Sequence, residues 1–136
     1  ELLQFELWPD DVGAKITIDT DVYADLWTEL DMDSETLEIK ITTEYLQFGT
    51  KSENGKCTSR INKNSDKVKK FDCTILEPLC FSYKMELMKY TLRALLPSER
   101  SNMRMGTNGV ICIHYVIKSA GESPSFVEFY SSALIE

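Results

Sequence analysis

The chain of 136 residues contains no apolar run near the roughly 20 residues that a membrane-crossing helix needs, so no membrane partner is expected. It has a single histidine, His114, and four cysteines, Cys57, Cys73, Cys80 and Cys112, none spaced as C-x-x-C. A zinc site would have to gather scattered ligands, and a disulfide framework suits shorter secreted chains. Cys73, Cys80 and Cys112 stand among apolar residues, which predicts buried thiols acting as small hydrophobes in a reducing, intracellular setting. There is no nucleophile elbow, phosphate-binding glycine loop or H-E-x-x-H, and His114 sits in the alternating run "GVICIHYVIK" with no nucleophile beside it. The expectation is a protein that is not an enzyme and uses no cofactor and no metal. "DMD" at residues 31–33 comes nearest to a carboxylate site. Its spacing fits no ligand template, and its place after a helix fits a turn.

Positive charge is also in short supply. Lys and Arg number 15 against 22 Asp and Glu, a formal charge of −7. That balance argues against general adhesion to nucleic acid or anionic membrane. Charges more than about 10 Å apart are largely screened at ~0.1 M salt, so a minority basic face can still act on its own. What the chain does have is apolar content, 43%, enough for one core. It opens on Glu1 rather than methionine, and the expectation is a piece of a longer polypeptide, its second half.

The apolar residues are patterned. "AKITIDT" alternates and reads as a half-buried strand. Tyr23, Leu26, Trp27 and Leu30 follow at i, i+3, i+4 and i+7, one helical stripe, with capping oxygens from Asp19, Thr20 and Asp21 at its start. "TLEIKIT" buries Leu37, Ile39 and Ile41, and "YLQFGTKS" and "GKCTSRIN" form a hairpin turning at "ENG". After a short strand in "KKFDCTI" the order repeats: the strand "CFSYKME", a helix over residues 86–96 stopped by Pro97, and three strands, "SNMRMG", "GVICIHYVIK" and "SFVEFYSSAL". Short turns favour antiparallel pairing, and two one-striped helices bury best on the same face of a sheet. The predicted class is α+β: an antiparallel sheet with two helices on one face, built from two strand-helix-three-strand units.

In "LMKYTLRALLPSER", α-helical spacing puts Met88, Leu92 and Leu95 on one stripe and Lys89 and Arg93 together on the far side. That basic pair is either a solvated surface or a contact for an anionic partner. The cations of "KCTSRINKNSDKVKK" read as edge-strand protection at Lys56 and Arg60 and otherwise as a solvated loop.

Several segments carry a family resemblance. "TELDMDSETLEIKIT" resembles the segment after the first helix in the second lobe of the Rad-one subunits of nine-one-one DNA-damage checkpoint clamps, which are related to proliferating cell nuclear antigen. "LLQFEL" is similar to the end of that family's interdomain connector. "SYKMELMKYTLRAL" keeps its Tyr83–Lys84 and Ala94–Leu95 pairs, and "GVICIHYVIKSAGESPSFVEFY" resembles its final hairpin. The resemblance covers nearly the whole chain, with residues 49–70 matching by pattern more than by residue.

The resemblance implies the DNA-clamp fold, with residues 1–13 ending the connector and 14–136 forming a single C-terminal lobe. It implies a non-enzymatic, nuclear subunit of a heterotrimeric ring, with two other clamp subunits, double-stranded DNA through the bore, a clamp loader and peptide-motif proteins as partners. Lys89 and Arg93 would line the bore, meeting phosphates without reading bases. The first helix exposes Ala24, Asp25 and Thr28 and offers no cation, which implies a loose hold, and the outer sheets would carry the acidic charge. Lys56, Thr58, Arg60 and Asn62 would form the edge strand that meets the next subunit. Leu2, Phe5, Leu7 and Trp8 would either wall the partner-peptide groove or pack on the lobe. A homotrimeric replicative clamp, a DNA exonuclease and a peptide-binding adaptor without DNA remain as alternatives.

Overall fold

The computed structural model describes residues 12–53, 55–73, 75–94, 98–117 and 125–135. In chain order they form β1 (Val12–Asp19), α1 (Thr20–Thr28), β2 (Thr36–Ile41), β3 (Tyr45–Ser52), β4 (Gly55–Asn62), β5 (Val68–Cys73), β6 (Leu79–Lys84), α2 (Met85–Met88), a 3-10 helix (Lys89–Ala94), β7 (Ser98–Gly106), β8 (Ile111–Ile117) and β9 (Ser125–Ser131). The strand-helix-three-strand order appears twice, with β5 between the units. The first strand begins at Val12, so Val12 and Gly13, which the sequence placed in the connector, belong to β1.

Every strand pairing is antiparallel, but the strands divide into two sheets: five strands in the order β5-β1-β7-β8-β9 and four in the order β4-β3-β2-β6. Alternation sets which face each residue joins. Ala14, Ile16 and Ile18 on β1, Leu37, Ile39 and Ile41 on β2, and Ile111, Ile113 and Tyr115 on β8 are all buried in one cluster that spans both sheets. The stripe of α1 closes that cluster, with Tyr23, Leu26, Trp27 and Leu30 buried as predicted. The Tyr23 ring meets Phe48 of β3 edge-on at 5.8 Å and Tyr115 of β8 at 6.3 Å, so one side chain touches both sheets.

A second link joins the sheets. Tyr83 of β6, in the four-stranded sheet, donates its hydroxyl to the Gly109 carbonyl in the β7–β8 turn at 2.6 Å. Burial pushes the Tyr83 phenol up, so it stays protonated and donates. Gly109 has φ of +90°, and a Cβ there would sit 2.8 Å from both Ala133 and Phe81. Only glycine fits that turn without displacing its neighbours. Beyond β9, residues 132–135 return to β6, where the Leu134 N–H donates to the Ser82 carbonyl at 2.8 Å.

Gly109→Ala is expected to destabilise the fold by about 2 to 4 kcal/mol, from backbone strain plus overpacking. Tyr83→Phe, which leaves the Gly109 carbonyl without this donor, is expected to cost about 1 to 2 kcal/mol. Denaturant midpoints would check both, and a Gly109→Ala chain as stable as the parent would contradict the packing described.

Candidate DNA-facing layer and subunit edge

The two helical segments lie side by side because hydroxyls join them inside the core. Thr91, 1% exposed, donates to the Met88 carbonyl at 2.7 Å. Its hydroxyl and that of Tyr23 on α1 are 3.0 Å apart, and the Tyr115 hydroxyl of β8 donates to the Thr91 carbonyl at 2.8 Å. Sequence reading missed Thr91, which breaks the apolar stripe between Met88 and Leu92.

These bonds accompany a change of winding. The segment predicted as one α-helix over 86–96 has a single α-helical stretch, Met85–Met88, and then a 3-10 helix, Lys89–Ala94. At three residues per turn, positions four apart are offset by roughly 120°, against roughly 40° in an α-helix. The expected sharing of one face by Lys89 and Arg93 therefore needs correction at the level of the backbone. Lys89 is exposed, while the Arg93 side chain and Leu95 lie outside the described residues. Lys89 stands at a cleft of about 520 Å³ where the α1–β2 connection meets α2, with Lys84, Glu86, Asp33, Glu35 and Leu134 also on its wall.

Charge is distributed differently from the expectation. Asp21 and Asp25 on α1, Glu29 at its end and Glu86 on α2 are exposed on the helical layer with Lys89. Cations reach this layer from the loop before β5 and from the start of β5: Lys67 Nζ lies 3.4 Å from the Asp21 carboxylate and Lys69 Nζ 3.9 Å from that of Asp19. Asp19 makes no side-chain capping bond, so the predicted cap there is instead an ion pair. The outward face of the four-stranded sheet, by contrast, carries Lys40, Lys51, Lys56, Arg60 and Lys84 against Glu38. The sheet expected to be acidic outside is basic there.

The predicted edge strand is an edge: β4 pairs only with β3 among the described residues. Lys63 N–H donates to the Glu44 carbonyl at 2.9 Å, and Ser52 opposes Gly55 across a two-residue turn. Hydrogen-bonded pairs alternate along an antiparallel ladder. Residues 55, 57, 59 and 61 therefore face β3, while the backbone N–H and C=O of Lys56, Thr58 and Arg60 and the N–H of Asn62 point outward; the Asn62 carbonyl already accepts from the Ser65 N–H at 3.0 Å. All four side chains are exposed. Sequence reading overlooked that β5 and β9 also end their sheet.

Of the remaining candidates, Leu2, Phe5, Leu7 and Trp8 lie outside the described residues. Asp31 and Asp33 close a turn: the Asp33 N–H donates to Asp31 Oδ1 and the Asp31 N–H to Thr50 Oγ1, each at 3.0 Å. Among the described residues no three His, Cys, Asp or Glu side chains converge as metal ligands. Cys112 is buried and Cys73 half-buried, but Cys80 is exposed, because Phe81 and Tyr83 take the inward positions of β6.

A family model described as repair protein Rad1/Rec1/Rad17 matches residues 1–117. The chain belongs to the Rad1 family. It is 28% identical over 132 residues to the cell cycle checkpoint protein RAD1 of Homo sapiens, covering 96% of this chain and 46% of that protein. To the RAD1 homolog mrt-2 of Caenorhabditis elegans it is 28% identical over 129 residues, 93% of this chain and 47% of that one. This Rad1-family chain thus spans about half the length of these relatives. Among solved structures it is similar to PCNA from Thermococcus kodakaraensis, with a TM-score of 0.73 at 12% identity over 90% of this chain and 48% of that one. The fold is the clamp fold, as the α+β reading required.

The ladder geometry of this Rad1-family lobe makes a local prediction. Proline removes an outward N–H at Thr58 but a ladder N–H at Ser59. Thr58→Pro is expected to lower the melting temperature by no more than about 3 °C, and Ser59→Pro to cost about 3 kcal/mol or more. Equal losses in thermal melts would refute the assigned pairing.

Proposed function

We propose that this chain is the C-terminal lobe of a non-enzymatic subunit of a nuclear, DNA-encircling checkpoint clamp, a ring of three different subunits that slides on DNA and docks signalling and repair proteins. The observation that carries the reading is the placement of both helical segments on one side of the sheets, held by Tyr23 and Thr91. A ring built from such lobes turns one continuous helical layer inward and its sheets outward. Membership of the Rad1 family and the clamp fold support it.

A closed ring also needs an edge at each end of its building block. Strand β4 offers one, with the outward groups of Lys56, Thr58, Arg60 and Asn62, and β9 offers another in the other sheet. Strand addition at β4 would satisfy those backbone groups with no chemistry in the side chains.

Toward DNA, Lys89 supplies a phosphate contact and Arg93 a second. Around them the exposed Asp25 and Glu29 repel the backbone. The lobe therefore holds a duplex at arm's length, with ions and water between, which suits sliding. Recognition would be of phosphates alone.

Three results test this. Native mass measurement of the intact assembly is expected to give three different chains, and three identical ones would overturn the heterotrimer. Within that assembly on circular DNA, Lys89→Glu with Arg93→Glu should lower the slope of log affinity against log salt by about 1 to 2, while Asp25→Asn with Glu29→Gln should tighten retention. Unchanged affinity and slope in both variants would remove the bore-lining role. Thr58→Pro, tolerated by the fold, should abolish joining to the neighbouring subunit at β4.

A further inference from the structure

The outward face of the four-stranded sheet holds a side-chain arrangement that DNA encirclement does not use and that is distinct from the backbone groups Arg60 lends to the β4 edge. Register places Cys80, Lys40, Gln47 and Arg60 in one row across β6, β2, β3 and β4. Arg60 is exposed, yet its guanidinium is held. Its Nε and Nη2 donate to Gln47 Oε1 at 3.1 and 2.7 Å, and its Cζ lies 3.8 Å from the centre of the Tyr45 ring. Gln47 is itself buried, 8% exposed, so the acceptor that aims the guanidinium does not wander. Lys40 Nζ stands 6.0 Å from the centre of the same ring, so two cations attend one aromatic side chain.

A surface arginine usually spends rotamer freedom when it binds. Here that freedom is already restricted, and the guanidinium edge not engaged by Gln47 remains for a planar anion, which an arginine fork can bind in bidentate fashion. Strands lie about 4.8 Å apart, so Lys40 and Arg60 stand roughly 10 Å from each other across β3, within reach of successive acidic residues of one extended segment. Farther along the same face Lys51, Lys56 and Lys84 continue the positive charge, offset in part by Glu38, whose Oε1 lies 3.6 Å from Lys56 Nζ. In a chain of net charge −7, five cations and one carboxylate on a single sheet face are a local reversal of sign.

We infer that this face is a docking surface for an acidic, Asp/Glu-rich peptide segment of a partner protein, anchored by a carboxylate on Arg60 and steered by Lys40. Charge complementarity selects the occupant, and the flat, strand-lined face favours an extended segment over a helix in a groove. The inference does not rest on the encirclement of DNA, because the site points away from the helical layer.

The test uses the full-length protein in its assembly and a fluorescein-labelled twelve-residue peptide of Glu, Asp and Ser, followed by anisotropy at two salt concentrations. Saturable binding that weakens with salt is expected. Lys40→Gln with Arg60→Gln should reduce it by about tenfold or more, the loss of two charge-assisted contacts, at unchanged thermal stability. Arg60→Lys, which keeps the charge but loses the fork and the stacking, should fall between the two. Lys15→Gln with Arg104→Gln, on the five-stranded sheet, should leave binding as it was. Parent-like binding by the Lys40/Arg60 variant, or by Arg60→Lys, overturns the anchored site. So does a short DNA duplex binding this face, with loss in the same variant, where the peptide does not bind.

Discussion

The fold turns on one buried hydroxyl. Thr91 receives Tyr23 from α1 and presents its carbonyl to Tyr115 from β8, while the ring of Tyr23 lies against both sheets. Three polar groups in an apolar core are tolerable only as a satisfied set, since removing one leaves the others unpaired at a cost near the full desolvation penalty. Burial pushes the Tyr23 and Tyr115 phenols up, so both remain protonated across the neutral range. The sign of the pH dependence follows. Unfolded tyrosines lose their protons first, near pH 10, so stability falls above that pH and is unaffected below it. The same contacts set the two helical segments beside each other, and the layered form of the lobe depends on that.

The hydroxyl set falls where the second helical segment leaves the α form. The Thr91 side chain bonds back to the Met88 carbonyl, and Tyr115 takes the Thr91 carbonyl, which a continuing helix would otherwise use. A β-branched residue with an inward hydroxyl is a poor interior helix former in any case. The surface is altered as a consequence: residues 89 and 93 no longer stack as neighbours along an α-helical face.

Much of this was legible in the residues, and most of the misses needed contacts distant in sequence. Alternation revealed the inward face of β1, β2 and β6, because burial acts on each residue separately. Leu37, Ile39 and Ile41 needed no knowledge of their partners to be placed, and the stripe from Tyr23 to Leu30 was equally local. Partition into two sheets was not legible, since alternation names a face and not a neighbour. The bonds at Thr91, in the 3-10 stretch, come from Tyr23 and Tyr115, 68 and 24 residues away. Cys80 is a different kind of miss. The alternation that buries Tyr83 had already turned Cys80 outward, and its apolar surroundings were given too much weight. The row of Lys40, Gln47 and Arg60 needed the register of three strands, which composition and spacing do not contain. The edge character of β4 was accessible, because a hairpin strand rich in exposed polar residues and cations has the composition of an edge.

The electrostatic layout unites these points. In the four-stranded sheet, alternation forces polar residues outward at every second position, and here those positions are mostly basic. The helical layer's outward positions are mostly acidic, relieved by Lys89 and by Lys67 and Lys69 around the start of β5. Ion pairs at such exposed sites contribute little to stability, so their effect lies in the field they leave behind. Opposite signs on the helical layer and the outward sheet face can coexist, since exposed charges more than about 10 Å apart are largely screened from each other. An anionic partner therefore meets two different surfaces on one lobe: a layer that holds it off and a sheet that draws it in. The first suits contact that must remain mobile. The second, with a guanidinium already fixed on Tyr45 and Gln47, suits contact that must persist.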